Sequence, residues 1–109
     1  MRAYIINLDT AHERWTFVEK SFAGTRIDLC RISGVDGKTL KFPLKSYSER
    51  RYRLFHGRPT NPNIVGCYLS HIKAMEAFLA TNDRHALIGE DDIRLRPDFE
   101  SAVEAALGC

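Results

Sequence analysis

Three adjacent carboxylates, Glu90, Asp91 and Asp92, follow the short apolar run HALIG at positions 85–89. Like charges this close repel one another and add to the cost of folding, a cost that a divalent cation relieves. In an extended segment Glu90 and Asp92 project to the same side, so both can reach one ion. Oxygen-only ligands favour Mg²⁺ or Mn²⁺, held jointly with a substrate diphosphate. Such an ion neutralises charge that builds on a departing phosphate. The competing reading is a solvated acidic turn balanced by Arg94 or Arg96, and the triplet alone does not choose between them.

Two further segments carry groups of the right kind. Asn7, Leu8 and Asp9 close the first apolar run, and Arg14 follows one helical turn later. Amide and carboxylate groups there can bond a base or ribose, and a helix N-terminus favours phosphate. The plainer reading is helix capping. Asp36 and Gly37 belong to the turn Gly34-Val35-Asp36-Gly37, whose glycines permit a tight backbone. Asp36 there is either a turn residue or a hydrogen-bonding partner for sugar hydroxyls. Ser70 and His71 sit one register off the main apolar stripe of a helix, where a satisfied histidine competes with a phosphate or sugar contact. Cys67 reads as a small core residue. No G-x-G-x-x-G is present, so a standard dinucleotide site is unsupported.

The elements that must position these groups follow from periodicity. Ala3–Leu8 reads as a buried strand. Thr10, with Glu13 three residues on, forms a capping box for a helix whose apolar face carries Trp15, Val18 and Phe22, ending at Gly24. A second strand is expected over Ile27–Ile32. The stretch Lys38–Pro62 lacks clean periodicity and reads as a long loop with one short helix near Ser46–Leu54. From Val65, Tyr68, Ile72, Met75 and Leu79 recur at helical spacing, predicting a heavily buried helix that Asn82 ends. A third strand at His85–Gly89 leads into the acidic triplet. Pro97 opens a last helix carrying Phe99, Val103, Ala106 and Leu107 on one face. Alternating strands and helices predict an α/β domain with a mostly parallel sheet. In such sheets ligands bind beyond the carboxyl ends of the strands, where all three suspicious segments fall.

Bulk properties narrow the field. A chain of 109 residues makes one domain. The formal charge of +2 is too small by itself to argue for nucleic acid, which is not the expected partner. Even so, a basic, aromatic-rich loop (Lys38, Lys41, Lys45, Arg50, Arg51, Arg53 and Arg58 with Tyr47, Tyr52, Phe55 and His56) suits phosphates, an anionic glycolipid or RNA. It equally suits a solvated flap. Cys30, Cys67 and Cys109 show no paired spacing, so reduced thiols and no structural zinc site are expected. No apolar run approaches ~18 residues, and no signal peptide is expected, so the expected location is cytoplasmic, with at most peripheral contact with the membrane's inner face.

Taken in order, INLD, Arg14, GVDG, IVGCYLSHIKAMEAF and ALIGEDDI resemble glycosyltransferase family 25, the lipopolysaccharide and lipooligosaccharide biosynthesis glycosyltransferases, from about Ala3 to Phe99. GCYLSH followed by LIGEDDI is the specific part. The resemblance implies a GT-A-like, Rossmann-like nucleotide-sugar-binding domain and a UDP-sugar donor, with galactose the expected sugar. It also implies a glycolipid or oligosaccharide acceptor and Mn²⁺ or Mg²⁺. It places metal at Glu90 and Asp92. Donor contacts fall on Asn7, Leu8, Arg14, Asp36, Gly37, Ser70, His71 and Asp91. Gly34 stands where alanine is more usual. It assigns no catalytic base, and it implies that the C-terminal half of the domain lies beyond this chain. A half-domain is expected to expose apolar surface and to pair with a second copy. Two rival readings are a non-catalytic donor-binding module, and an anionic-glycan or RNA binder built on the basic loop.

Overall fold

The computed structural model describes residues 1–39 and 62–108. Most of the basic loop, including the helix expected at Ser46–Leu54, lies outside them. The elements are β1 (Arg2–Asn7), α1 (His12–Phe22), β2 (Asp28–Ser33), a single 3₁₀ turn at Gly37–Thr39, α2 (Pro62–Leu79), β3 (Ala86–Glu90) and α3 (Phe99–Leu107).

The three strands form one parallel sheet in the order β2-β1-β3. The predicted α/β class is therefore what the chain adopts, in a small Rossmann-like arrangement. β1 lies in the middle and is buried on both faces, which is why AYIIN reads as continuously apolar until its last residue. Its side chains alternate. Ala3 and Ile5 pack with Val18 and Phe22 of α1 on one face, joined by Leu29, Leu87 and Phe99. Tyr4 and Ile6 pack with Ile32 and with Ala74 of α2 on the other. Ile5 and Val18 are fully buried, and burial of each contributes about 1.5–3 kcal/mol. Edge-to-face aromatic pairs close both layers: Phe22 with Phe99, and Tyr4 with Phe78.

The register aligns the strand ends. Asn7 pairs with Ser33, and Ile6 with Glu90. The carboxyl ends of all three strands therefore open along one edge.

Three expectations about the helices need correction. Helix α1 begins at His12, and Ala11 holds the cap position without a side-chain cap bond. Thr10 lies in the preceding turn, which is closed by Ala11 N–H donating to the Leu8 carbonyl, so the capping box does not form. Helix α2 is not heavily buried. Its buried residues are Val65, Gly66, Ser70 and Ala74, whereas Tyr68 is 54% exposed, Met75 50% and Leu79 76%. The helix turns its small residues to the sheet because they allow close backbone approach, and the larger apolar stripe is left outward. Pro97 lies in the turn before α3 rather than in its first turn.

Candidate functional site

At the carboxyl edge, a cleft of about 230 Å³ is lined by Leu8, Arg14, Asp36, Gly37, Ser70, Glu90 and Asp91, with Cys67 among its walls. It draws on β1, α1, the 34–37 turn, α2 and the end of β3. Three of the notable sequence segments thus meet in space, although more than 50 residues separate the turn from the acidic triplet.

The base of the cleft is organised by Asn7, which is 2% exposed. Its Nδ2 donates to the Ala11 carbonyl at 3.0 Å and to Asp91 Oδ2 at 2.8 Å. Its Oδ1 accepts from Arg31 Nε at 3.0 Å. Its backbone carbonyl accepts from Arg31 Nη2 and from Gly34 N–H. A buried amide must satisfy both ends, and this one does so by tying the three strand ends together. Asn7 therefore positions other groups, and both hydrogens of its amide are already given to protein acceptors. Asp91 is held between Asn7 and Arg14, whose Nη1 lies 3.5 Å from Asp91 Oδ1.

The 34–37 turn is clamped onto α2. Val35 N–H donates to Ser70 Oγ at 2.8 Å, and the Ser70 hydroxyl donates to the Gly66 carbonyl at 2.7 Å. A Cβ on Gly66 would lie 2.7 Å from the Val35 carbonyl oxygen and 2.8 Å from Gly37 N. Helix and turn thus touch backbone to backbone, which only glycine permits. Ser70 lines the cleft, but its hydroxyl is engaged in this clamp. Asp36 Oδ1 accepts from Lys38 N–H at 3.0 Å, closing an Asx turn, and its side chain also borders the cleft.

The acidic triplet is not extended. Strand β3 ends at Glu90, and the next residues turn, with Ile93 N–H donating to the Glu90 carbonyl at 3.1 Å. The same-side projection expected of Glu90 and Asp92 depends on strand geometry, which stops two residues before Asp92. Glu90 and Asp91 line the cleft; Asp92 is exposed and does not. Two carboxylates from one turn still fit a hard cation held jointly with a diphosphate, since Mg²⁺ commonly takes one or two carboxylates plus phosphate oxygens.

Cys67 is exposed at the cleft rather than buried in the core, and its Sγ lies 3.3 Å from Glu90 Oε1. Partial desolvation by the cleft wall, then the Glu90 carboxylate, raise the thiol pKa above its usual value. His71, one turn further along α2, lies beside both and outside the cleft lining.

Sequence reasoning missed Arg31. Its guanidinium bonds Asn7 and Asp9 and lies 5.9 Å from the Trp15 ring centroid. Asp9 Oδ1 accepts from Arg31 at 2.6 Å and from Ser33 Oγ at 2.8 Å, and these bonds hold its pKa below the usual value. A lone arginine within the strand DLCRIS was the available signal, because a cation on a sheet face calls for an anionic partner.

Known proteins share this arrangement of segments. Residues 1–108 match the family model described as Glycosyltransferase family 25 (LPS biosynthesis protein). A "Glycosyltransferase 25 family member" of Anopheles gambiae is 34% identical over 95% of this chain, and one of Aedes aegypti is 32% identical over 95%. "Procollagen galactosyltransferase 1-A" of Xenopus laevis is 26% identical over 95%. The chain spans 18% of the length of each of these relatives. No solved structure matches it. With the family model covering nearly every residue, this chain belongs to glycosyltransferase family 25.

Proposed function

We propose that this chain forms the donor-binding part of a galactosyltransferase that uses UDP-galactose and extends a lipopolysaccharide-type glycolipid. The observation that carries the reading is the cleft itself, where a cation, two carboxylates and a glycine turn converge beyond the carboxyl ends of a parallel sheet. In this reading the Arg14 guanidinium faces the diphosphate, Leu8 presents apolar surface to the base, and Asp36 accepts from sugar hydroxyls while Gly37 lets the backbone come close. Asn7 and Ser70 keep the walls fixed, which limits reorganisation when donor binds. Glu90 and Asp91 are the residues that would hold Mn²⁺ or Mg²⁺ in a GT-A-like site. When bound, the ion would offset the charge of the departing diphosphate. An acceptor hydroxyl attacks the anomeric carbon and UDP leaves. The proton goes to a base that no described residue is assigned to be.

The sugar is inferred from relatives named as galactosyltransferases, and the glycolipid acceptor from the family's description. Among the described residues no helix is long and apolar enough to cross a membrane. A cytoplasmic protein that meets the membrane through the basic loop is part of the proposal. A second acceptor reading, procollagen, is favoured by relatives named procollagen galactosyltransferase. Transfer of labelled galactose from UDP-galactose to lipooligosaccharide or to procollagen separates the two. Label on neither, with donor bound, would leave a donor-binding module without turnover.

A further inference from the structure

Cys67 and His71 are four residues apart on α2, so their side chains leave the same helix face one turn apart. Glu90 meets them from the end of β3. One ligand atom from each of the three lies within 4.8 Å of the other two, and the Cys67–Glu90 pair is already at 3.3 Å. We propose that Cys67, His71 and Glu90 form a site for Zn²⁺ or a similar borderline-soft divalent cation, distinct in its ligands from the oxygen-only site expected of the acidic triplet. Glu90 is common to both sets, but the proposal does not rest on the donor assignment.

The geometry is close to what such an ion needs. Zinc takes sulfur at about 2.3 Å, imidazole nitrogen at about 2.0–2.1 Å and carboxylate oxygen at about 2.0–2.2 Å in a tetrahedron. Tetrahedral edges then come to roughly 3.3–3.7 Å by those bond lengths. Small side-chain rotations therefore bring the three atoms onto one ion. Glu90 and Cys67 are exposed and His71 is half-buried, so the rotations need no core movement. Thiolate and imidazole select Zn²⁺ over Mg²⁺, which prefers oxygen ligands and an octahedral shell. Capture releases the Cys67 thiol proton to solvent, and no electron is transferred. Three protein ligands leave a fourth position, the pattern of zinc sites that bind water or substrate rather than purely structural ones. The earlier expectation against zinc rested on cysteine pairing, which does not register a ligand set drawn from three residue types.

Cobalt(II) is the probe, because a thiolate ligand gives a near-ultraviolet charge-transfer band and a tetrahedral site gives intense visible bands. Titration of Co²⁺ into the full 109-residue chain should show both at a 1:1 endpoint, with Zn²⁺ in equal amount bleaching them and millimolar Mg²⁺ leaving them. Cys67→Ser should abolish the charge-transfer band. His71→Ala and Glu90→Gln should keep that band but weaken Co²⁺ binding by at least about 10- to 100-fold, since even outer-shell changes reach that range. Cys30→Ser should change neither. Circular dichroism confirms that each variant is folded, and His71→Ala tests the site if Cys67→Ser is not. A charge-transfer band that survives Cys67→Ser, affinity unchanged in His71→Ala, or weak octahedral-type spectra alone would overturn the proposal. Mn²⁺-dependent UDP-galactose binding measured on the parent chain reports the donor reading separately. Donor binding that persists while the same parent chain gives no cobalt charge-transfer band would sink the soft-metal site and leave the donor cleft standing.

Discussion

The two walls of the cleft are built on opposite plans. On the β1 side, polar groups are bound to one another: Asn7 joins Ala11, Asp91 and Arg31, and Arg31 joins Asp9, which takes a further bond from Ser33. On the α2 side, Gly66 meets the turn backbone to backbone and the Ser70 hydroxyl clamps it, but Cys67, His71 and Glu90 stand together, joined by a sulfur–carboxylate contact. The first arrangement sets shape, because Asn7, Arg31 and Asp9 are already bonded to protein, and it holds Asp91 in place at the edge of the cleft. The second offers ligand atoms. The contrast separates residues that hold the site from residues available to do chemistry there.

The steepest test of the holding side is Gly66→Val. With backbone atoms of Val35 and Gly37 within 3 Å of the new Cβ, the turn must move off the helix. A loss of about 3 kcal/mol in urea unfolding is expected, at the upper end of overpacking costs. Asn7→Ala comes next. It leaves Asp91 and Arg31 each short of a partner at a nearly closed position, at about 2 kcal/mol, and it should weaken donor binding by misplacing Asp91.

A smaller effect tests Asp9. Hydrogen bonds from Arg31, then Ser33, depress its folded pKa below the unfolded value. The associated stability is present above the unfolded pKa and is lost as pH falls through the folded one. Urea midpoints followed from neutral pH into the acid range should therefore fall less in Asp9→Asn than in the parent. On the chemical side the expected stability changes are smallest: Cys67→Ser, at an exposed position, should stay within about 0.5 kcal/mol of the parent and His71→Ala, at a half-buried one, within about 1 kcal/mol. A loss comparable to that of Asn7→Ala would erase the distinction between the two walls.

Much of this was legible in the residues. The β1 run showed as a continuous apolar stretch because the central strand of a parallel sheet is buried on both faces, β3 showed as a shorter apolar run although it is a half-buried edge strand, and the convergence of segments at strand ends followed from the sheet rule. What was not legible depends on three-dimensional choices. Tyr68, Met75 and Leu79 form a good apolar stripe, yet α2 turns Gly66, Ser70 and Ala74 inward because close backbone approach outweighs side-chain area there. Asp92 parted from Glu90 because strand geometry ended at Glu90, two residues before Asp92. Cys67 looked like core because cysteine usually is; only the packing of α2 beside β3 brings it to Glu90. Arg31 carried no motif, and its importance comes from the amide it meets.

The most direct measurement is calorimetric titration of UDP-galactose into the chain with Mn²⁺, then with EDTA, for the parent, Asp91→Ala and Asp92→Ala. The account predicts metal-dependent binding, weakened at least about tenfold in Asp91→Ala, a loss of about 1.4 kcal/mol. It predicts little change in Asp92→Ala, because that side chain lies outside the cleft lining. Binding lost in Asp92→Ala but kept in Asp91→Ala, or no binding by the folded parent, would contradict it.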